Sequence, residues 1–157
     1  MKPTRRIEIS EQVMLCLPES YTKPLLRGLD GWVKALRSGD YKQGRNLLCY
    51  EGAYCCLGVL CKLQGRPSQV VNGRTVYDGD IAMLNWPNPM VGVFGGTGHF
   101  PSGVWCEVGD PVRGVETLSD LAVLNDKGAT FEQIADVISR VWADDPTPAD
   151  ETPGKAA

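Results

Sequence analysis

Tyr54-Cys55-Cys56-Leu57-Gly58-Val59-Leu60-Cys61 combines three thiols, a glycine and bulky apolar side chains with no charge. Polar and apolar positions do not alternate in it, so the fold must enclose the segment on nearly all sides. The run continues to Gln64 and is followed directly by Gly65 and Pro67, which predicts a buried helix rather than a strand. Gly58 inside such a helix costs about 0.5–1 kcal/mol relative to alanine, which predicts close approach of another backbone.

Enclosing that helix needs a real core. A chain of 157 residues, 43% hydrophobic and 22% charged, provides one domain's worth and too little for two. A net charge of −3 argues against a broad nucleic-acid or anionic-membrane footprint. The first half is nevertheless locally basic (Lys34, Arg37, Lys42, Arg45, Lys62, Arg66, Arg74), which suits a small anionic ligand. No stretch approaches the roughly 20 apolar residues of a membrane span. Glu8, Glu11 and Glu19 break any signal-peptide core after Lys2, Arg5 and Arg6, so a reduced, cytoplasmic setting is expected. In that setting the six cysteines act as small buried hydrophobes.

Along the chain, residues 1–23 alternate weakly (Ile7, Ile9, Val13, Leu15, Leu17) and suggest a short strand or arm. Pro24 marks a helix start, Leu25, Leu29, Trp32, Val33 and Leu36 follow at helical spacing, and Gly39 closes the helix. Nine glycines and five prolines between Arg66 and Glu116 exclude regular helix there. Val70–Val71, Asn72-Gly73 and Thr75–Tyr77 read as a hairpin. Ile81–Trp86, Met90–Phe94 and Val104–Val108 are further strand candidates. Two helices close the domain, one capped by Thr117 with Asp120 and one by the capping box Thr130/Gln133. Asn125 to Gly128 forms the turn between them. Residues 144–157 read as a disordered acidic, proline-rich tail.

The chemistry on offer is thin. Metal binding by Cys49, Cys55, Cys56, Cys61, Cys106 and the lone His99 lacks the paired knuckle spacing that zinc sites use, so no metal and no cofactor are expected. A cysteine–histidine nucleophile would depend on His99, seven residues before Cys106 in a glycine-rich loop. Carboxylate pairs drawn from Asp78, Asp80, Glu107, Asp110 and Glu116 are what any chain with 19 acids permits. The loop Gly92–Gly98 lacks the Gly-Lys-Ser/Thr ending of a phosphate loop and reads instead as a plain loop or a lid. A helix-turn-helix reading of Gln133-Ile134-Ala135 fails because an acidic tail stands where a recognition helix should follow. Binding is better served. Tyr41, Gln43, Arg45, Tyr54, Tyr77, Asn85, Trp86, His99 and Trp105 lie in or beside irregular segments and are the candidate ligand or partner contacts.

Four motifs together carry a resemblance: Trp32-x3-Leu36-Arg37-Ser38-Gly39-x-Tyr41-x-Gln43-Gly44; Tyr54 to Cys61; Leu84-Asn85-Trp86; and Leu124-Asn125-Asp126-x-Gly128-x-Thr130-Phe131-x2-Ile134-Ala135-Asp136. Over roughly residues 30–141 the chain resembles a widespread group of small proteins of tailed bacteriophages and prophages. The group brings no assigned activity, so no catalytic residue carries over. The resemblance implies a phage accessory gene product acting in host cytoplasm, where such products inhibit host proteins or sequester defence signals.

The expected fold is one α+β domain over residues 1–143. It has the cysteine-rich helix at its centre, two C-terminal helices packed on it, and a small antiparallel sheet from residues 70–108. The expected function is non-enzymatic binding of a host protein or a nucleotide-like signal, with a sheet edge or the 85–105 loops as contact surface. A small hydrolase using middle-segment carboxylates or His99 ranks second, and a virion or assembly component third. Homo-oligomers are compatible with all three, and DNA and membrane are not expected partners.

Overall fold

The computed structural model describes residues 4–45, 49–63, 68–71, 73–77, 99–110, 112 and 114–145. Its elements in chain order are β1 (Thr4–Glu8), β2 (Val13–Pro18), β3 (Leu25–Arg27), α1 (Leu29–Arg37), β4 (Lys42–Gln43), β5 (Cys49–Tyr50) and β6 (Ala53–Tyr54). These are followed by α2 (Cys56–Leu63), β7 (Ser68–Val71), β8 (Arg74–Tyr77), β9 (Trp105–Asp110), β10 (Gly114–Leu118), α3 (Leu121–Asp126), α4 (Phe131–Val141) and β11 (Ala143–Asp145). The α+β class is as expected. So is the central helix: every residue of α2 from Cys56 to Cys61 is buried.

Helices α1 and α3 pack on α2, whereas α4, expected on α2 as well, packs chiefly on α1 and touches α3. Trp32 of α1 is fully buried and donates its indole N–H to the Cys56 carbonyl at 3.0 Å, which fixes α1 against the start of α2. Leu29, Val33 and Leu36 complete the buried stripe of α1. Across the α1–α4 contact, Arg37 bonds Asp136 at 2.5 Å and Glu132 at 3.4 Å. Helix α4 has the capping box read from the sequence, with Thr130 accepting from the Gln133 amide and the Gln133 side chain from the Thr130 amide. Its face of Phe131, Ile134, Val137, Ile138 and Val141 is buried.

The principal sheet is not where the sequence placed it. Its order is β1-β2-β9-β10, antiparallel throughout, so two of its four strands come from the N-terminal segment. The register sets its two faces. Leu15 opposes Cys106, which opposes Leu118, and this row joins the core. Strand alternation then turns Arg6, Cys16, Trp105 and Glu107 to the opposite, outer face. Cys16 is fully buried although it stands on the outer face, which conceals the alternation of β2 from a reading of hydrophobicity alone.

The predicted hairpin forms: β7 and β8 pair with Val71 opposite Arg74, and Gly73 takes φ 80° between them. It belongs to a second sheet, ordered β4-β6-β5-β8-β7, rather than to the principal one. Glu51 and Gly52 both adopt positive φ (49° and 83°) in the two-residue turn from β5 to β6. The strand candidates Ile81–Trp86 and Met90–Phe94 lie outside the described residues.

Three boundaries differ from expectation. Helix α1 begins at Leu29, not at Pro24, because Leu25–Arg27 are drawn into a parallel pair with β11 and Gly28 breaks the chain at φ 84°. Thr117 and Leu118 belong to β10, so Asp120 alone caps α3, accepting from the Val123 amide at 2.8 Å. Asp144 and Asp145, which composition assigns to the tail, form the end of β11. Asp144 Oδ1 accepts from the Asp30 amide at 3.0 Å and so caps α1, whose own N-cap Gly28 has no side chain to do it.

Candidate functional site

The sequence candidates separate into two places. Tyr41, Gln43, Arg45 and Tyr54 come together beside the α3–α4 turn. The rings of Tyr41 and Tyr54 meet edge to face, centroids 5.4 Å apart and planes at 89°. A Cβ built on Gly128 would lie 3.6 Å from the Arg45 guanidinium, so this side chain rests on the α3–α4 turn.

Gln43 reaches further in. Its Nε2 donates to Asn125 Oδ1 at 2.9 Å and to the Ala129 carbonyl at 2.8 Å, while its Oε1 accepts from the Phe131 amide at 3.1 Å. Asn125, fully buried, accepts also from the Cys56 amide at 3.2 Å and donates to the Gly44 carbonyl at 2.8 Å. These two carboxamides use their groups on the protein itself. The node therefore locks the starts of α2 and α4 to the β4 segment, and the sequence reading missed Asn125 by taking it for a turn residue.

Trp105 stands apart, on the outer face of the principal sheet. Its indole N–H donates to Glu107 Oε2 at 3.1 Å, and Glu107 receives both arms of Arg6, at 2.5 and 3.3 Å. The Arg6 guanidinium, with help from the Trp105 indole, holds the Glu107 carboxyl below the usual carboxylate range. Arg6 Nη1 also lies 3.6 Å from Cys16 Sγ, so the Arg6–Glu107 pair roofs over that thiol. Beside them opens a cleft of about 170 Å³, lined by Met14, Gly109 and Val115 as well as Arg6, Glu8 and Glu107. Val115 is 66% exposed on β10, the edge strand.

His99 is exposed and bridges to Asp120 in the backbone. Tyr77 ends β8 opposite Ser68, with its side chain beyond what is described. Asn85 and Trp86 lie outside the described residues, as do the loop Gly92–Gly98 and the acids Asp78 and Asp80.

The thiols of Cys16, Cys55, Cys56, Cys61 and Cys106 are enclosed. Burial pushes Cys55 up to about 11 and Cys106 up to about 12, and raises Cys56 well above the ordinary thiol value. A thiolate nucleophile is disfavoured at each. Among the described residues no three of His, Cys, Asp and Glu converge as a metal-binding group, and no helix is long and apolar enough to cross a membrane.

Comparison with known proteins adds one result. No curated protein and no solved structure shows a significant match. A family described as a domain of unknown function, DUF8296, matches residues 29–142, from the start of α1 to the residue after α4. That span holds the whole Gln43–Asn125 node, together with Trp105 and Glu107, but not Arg6 or Cys16. The chain belongs to the DUF8296 family.

Proposed function

We propose that this protein is a phage accessory factor of the host cytoplasm, a candidate host-takeover or anti-defence protein, that works by binding a host protein rather than by catalysis. The observation that carries the reading is the outer face of the principal sheet, where Arg6, Glu107 and Trp105 form one ordered group beside a cleft that runs to Val115 on the open edge strand. Tryptophan and arginine are the residues most enriched at the energetic centres of protein interfaces. Here both hydrogen-bond Glu107, which restrains them and lowers the entropy lost on docking. Four of the five β10 residues are exposed, and among the described residues no strand pairs with the outer side of β10. An edge of that kind accepts an added strand, and its main-chain hydrogen bonds supply affinity.

The test is a photo-crosslinking residue placed at Val115 in protein expressed in a bacterial host, compared with the same residue at exposed Lys34. We expect one discrete host protein captured from position 115 and not from position 34, with capture by the purified protein lost in Trp105→Ala and Val115→Lys variants of unchanged fold. Equal or diffuse labelling from both positions would sink the reading.

A further inference from the structure

A second cleft lies on the other side of the principal sheet, where β1 overhangs the carboxyl end of α4. It holds about 140 Å³ and is lined by Arg5, Ile7, Leu17, Tyr21, Lys23 and Arg140. The lining has three cations and no acid, in a chain whose net charge is −3. Among the described residues neither Arg5 nor Arg140 has an ion pair. Every other arginine on a sheet or helix whose side chain is described, Arg6 and Arg37, does have one.

The register explains how the cations meet. Arg5 opposes Leu17 and shares the inward face of the hairpin with Ile7, so its guanidinium emerges at the rim of the core rather than beside Arg6 and Glu107. Tyr21 and Lys23 follow β2 and cap the end of α4. The Tyr21 hydroxyl donates to the Val141 carbonyl at 2.6 Å, and Lys23 Nζ donates to the Ser139 carbonyl at 2.9 Å. These two bonds spend the partial negative charge of the helix end, which would otherwise oppose an anion. Lys23 keeps two further N–H donors, and both guanidinium forks stay available.

We propose that this cleft is an oxyanion site for a phosphate group. The two guanidinium groups give bidentate donors and Lys23 a point charge, the combination that recognises phosphate. Size limits the occupant. Pockets for whole drug-sized ligands run to about 300–1,000 Å³. At about 140 Å³ this cleft takes the phosphate and leaves the rest of its carrier in solvent. The site is independent of the outer-face surface and of the reading attached to it.

The experiment is a titration of the full chain with inorganic phosphate at constant ionic strength, followed by NMR of the arginine side chains. We expect saturable shifts at Arg5 and Arg140, at least tenfold weaker binding in R5Q and in R140Q, and no change in a Lys34→Gln control. A nucleoside monophosphate and vesicles of phosphatidylcholine with phosphatidic acid form the two further arms. Tighter binding of one than of free phosphate assigns the carrier as a soluble phosphomonoester or a lipid headgroup. Shifts that chloride reproduces, or that R5Q and R140Q leave intact, would overturn the proposal. So would an R140Q variant that lowers the melting temperature but keeps the phosphate response, because the arginine then serves only the helix dipole.

Discussion

Gln43 Nε2 donates to Asn125 Oδ1 at 2.9 Å, joining residues 82 positions apart through two side-chain amides. Around this bond the Gly44 carbonyl, the Cys56 amide, the Ala129 carbonyl and the Phe131 amide are all satisfied by the same two side chains. Asn125→Leu leaves the Cys56 amide without that partner in a buried place, and the Gly44 carbonyl and the Gln43 amide without theirs in half-buried ones that water can reach. A fully buried orphan costs about 1–3 kcal/mol and the two that water can reach cost less, so we expect a loss of about 2–4 kcal/mol in urea denaturation. Gln43→Ala should couple to it by about 0.5–3 kcal/mol in a double-mutant cycle. Strictly additive losses would show that the two amides act separately.

Asp144 takes the role that Gly28 cannot. Its carboxylate accepts from the Asp30 amide near the start of α1, although it belongs to a strand 114 residues away. Loss of a helix cap costs about 0.5–2 kcal/mol. Asp144→Ala should therefore lower stability by about 1 kcal/mol, and Asp144→Asn, which keeps an acceptor oxygen, by less. An unchanged urea midpoint for Asp144→Ala would contradict the capping role.

Much of the helical architecture is legible from spacing because it depends on local signals. The Thr130/Gln133 box, the apolar stripe of α4 and the all-apolar face of α2 are each complete within about three turns of sequence. What escaped depends on partners distant in the chain. Leu25 and Leu29 stand at helical spacing, yet β11 pulls the first of them into a strand. The alternation of β2 is hidden by Cys16, which is buried on the outer face beneath Arg6. Asn125-Asp126-Lys127-Gly128 has turn composition, but α3 runs through Asp126, and only then does the chain turn at Gly128 (φ 107°). Of the candidate contacts, Gln43 was legible as a residue with a polar task. That its partner is Asn125 follows only from the fold.

Stability should fall on the alkaline side. Cys55 and Cys106 are raised from 9.0 to about 11 and about 12, and Tyr21 from 10.0 to about 12, all by burial. Between the unfolded and folded values the unfolded chain has lost protons that the folded one keeps, so unfolding becomes easier as pH rises. Below about pH 9 these thiols contribute no slope. Above it each contributes roughly 1.4 kcal/mol per pH unit. Urea denaturation under reducing conditions from about pH 8 to about pH 10.5 should show the decline. A flat profile would mean that the thiols ionise without unfolding.

Glu107 controls access to Cys16, and one substitution separates that role from general packing. The carboxylate grips Arg6 over the thiol and also raises the thiol's pKa by its charge, after burial as the larger cause. Glu107→Gln removes the charge, which favours the thiolate, and loosens Arg6, which exposes the sulfur; the weaker thiolate-stabilising pull of Arg6 that is lost is smaller than the repulsion removed. Cys16 should then react faster with a maleimide in the native protein. Cys106, one residue away in the same strand but on the core face opposite Leu15, should keep its wild-type rate. Mass-resolved labelling distinguishes the two thiols. A rise at Cys16 alone reports a local roof opened, whereas equal rises at both would report a weakened fold and remove Glu107 as the gate.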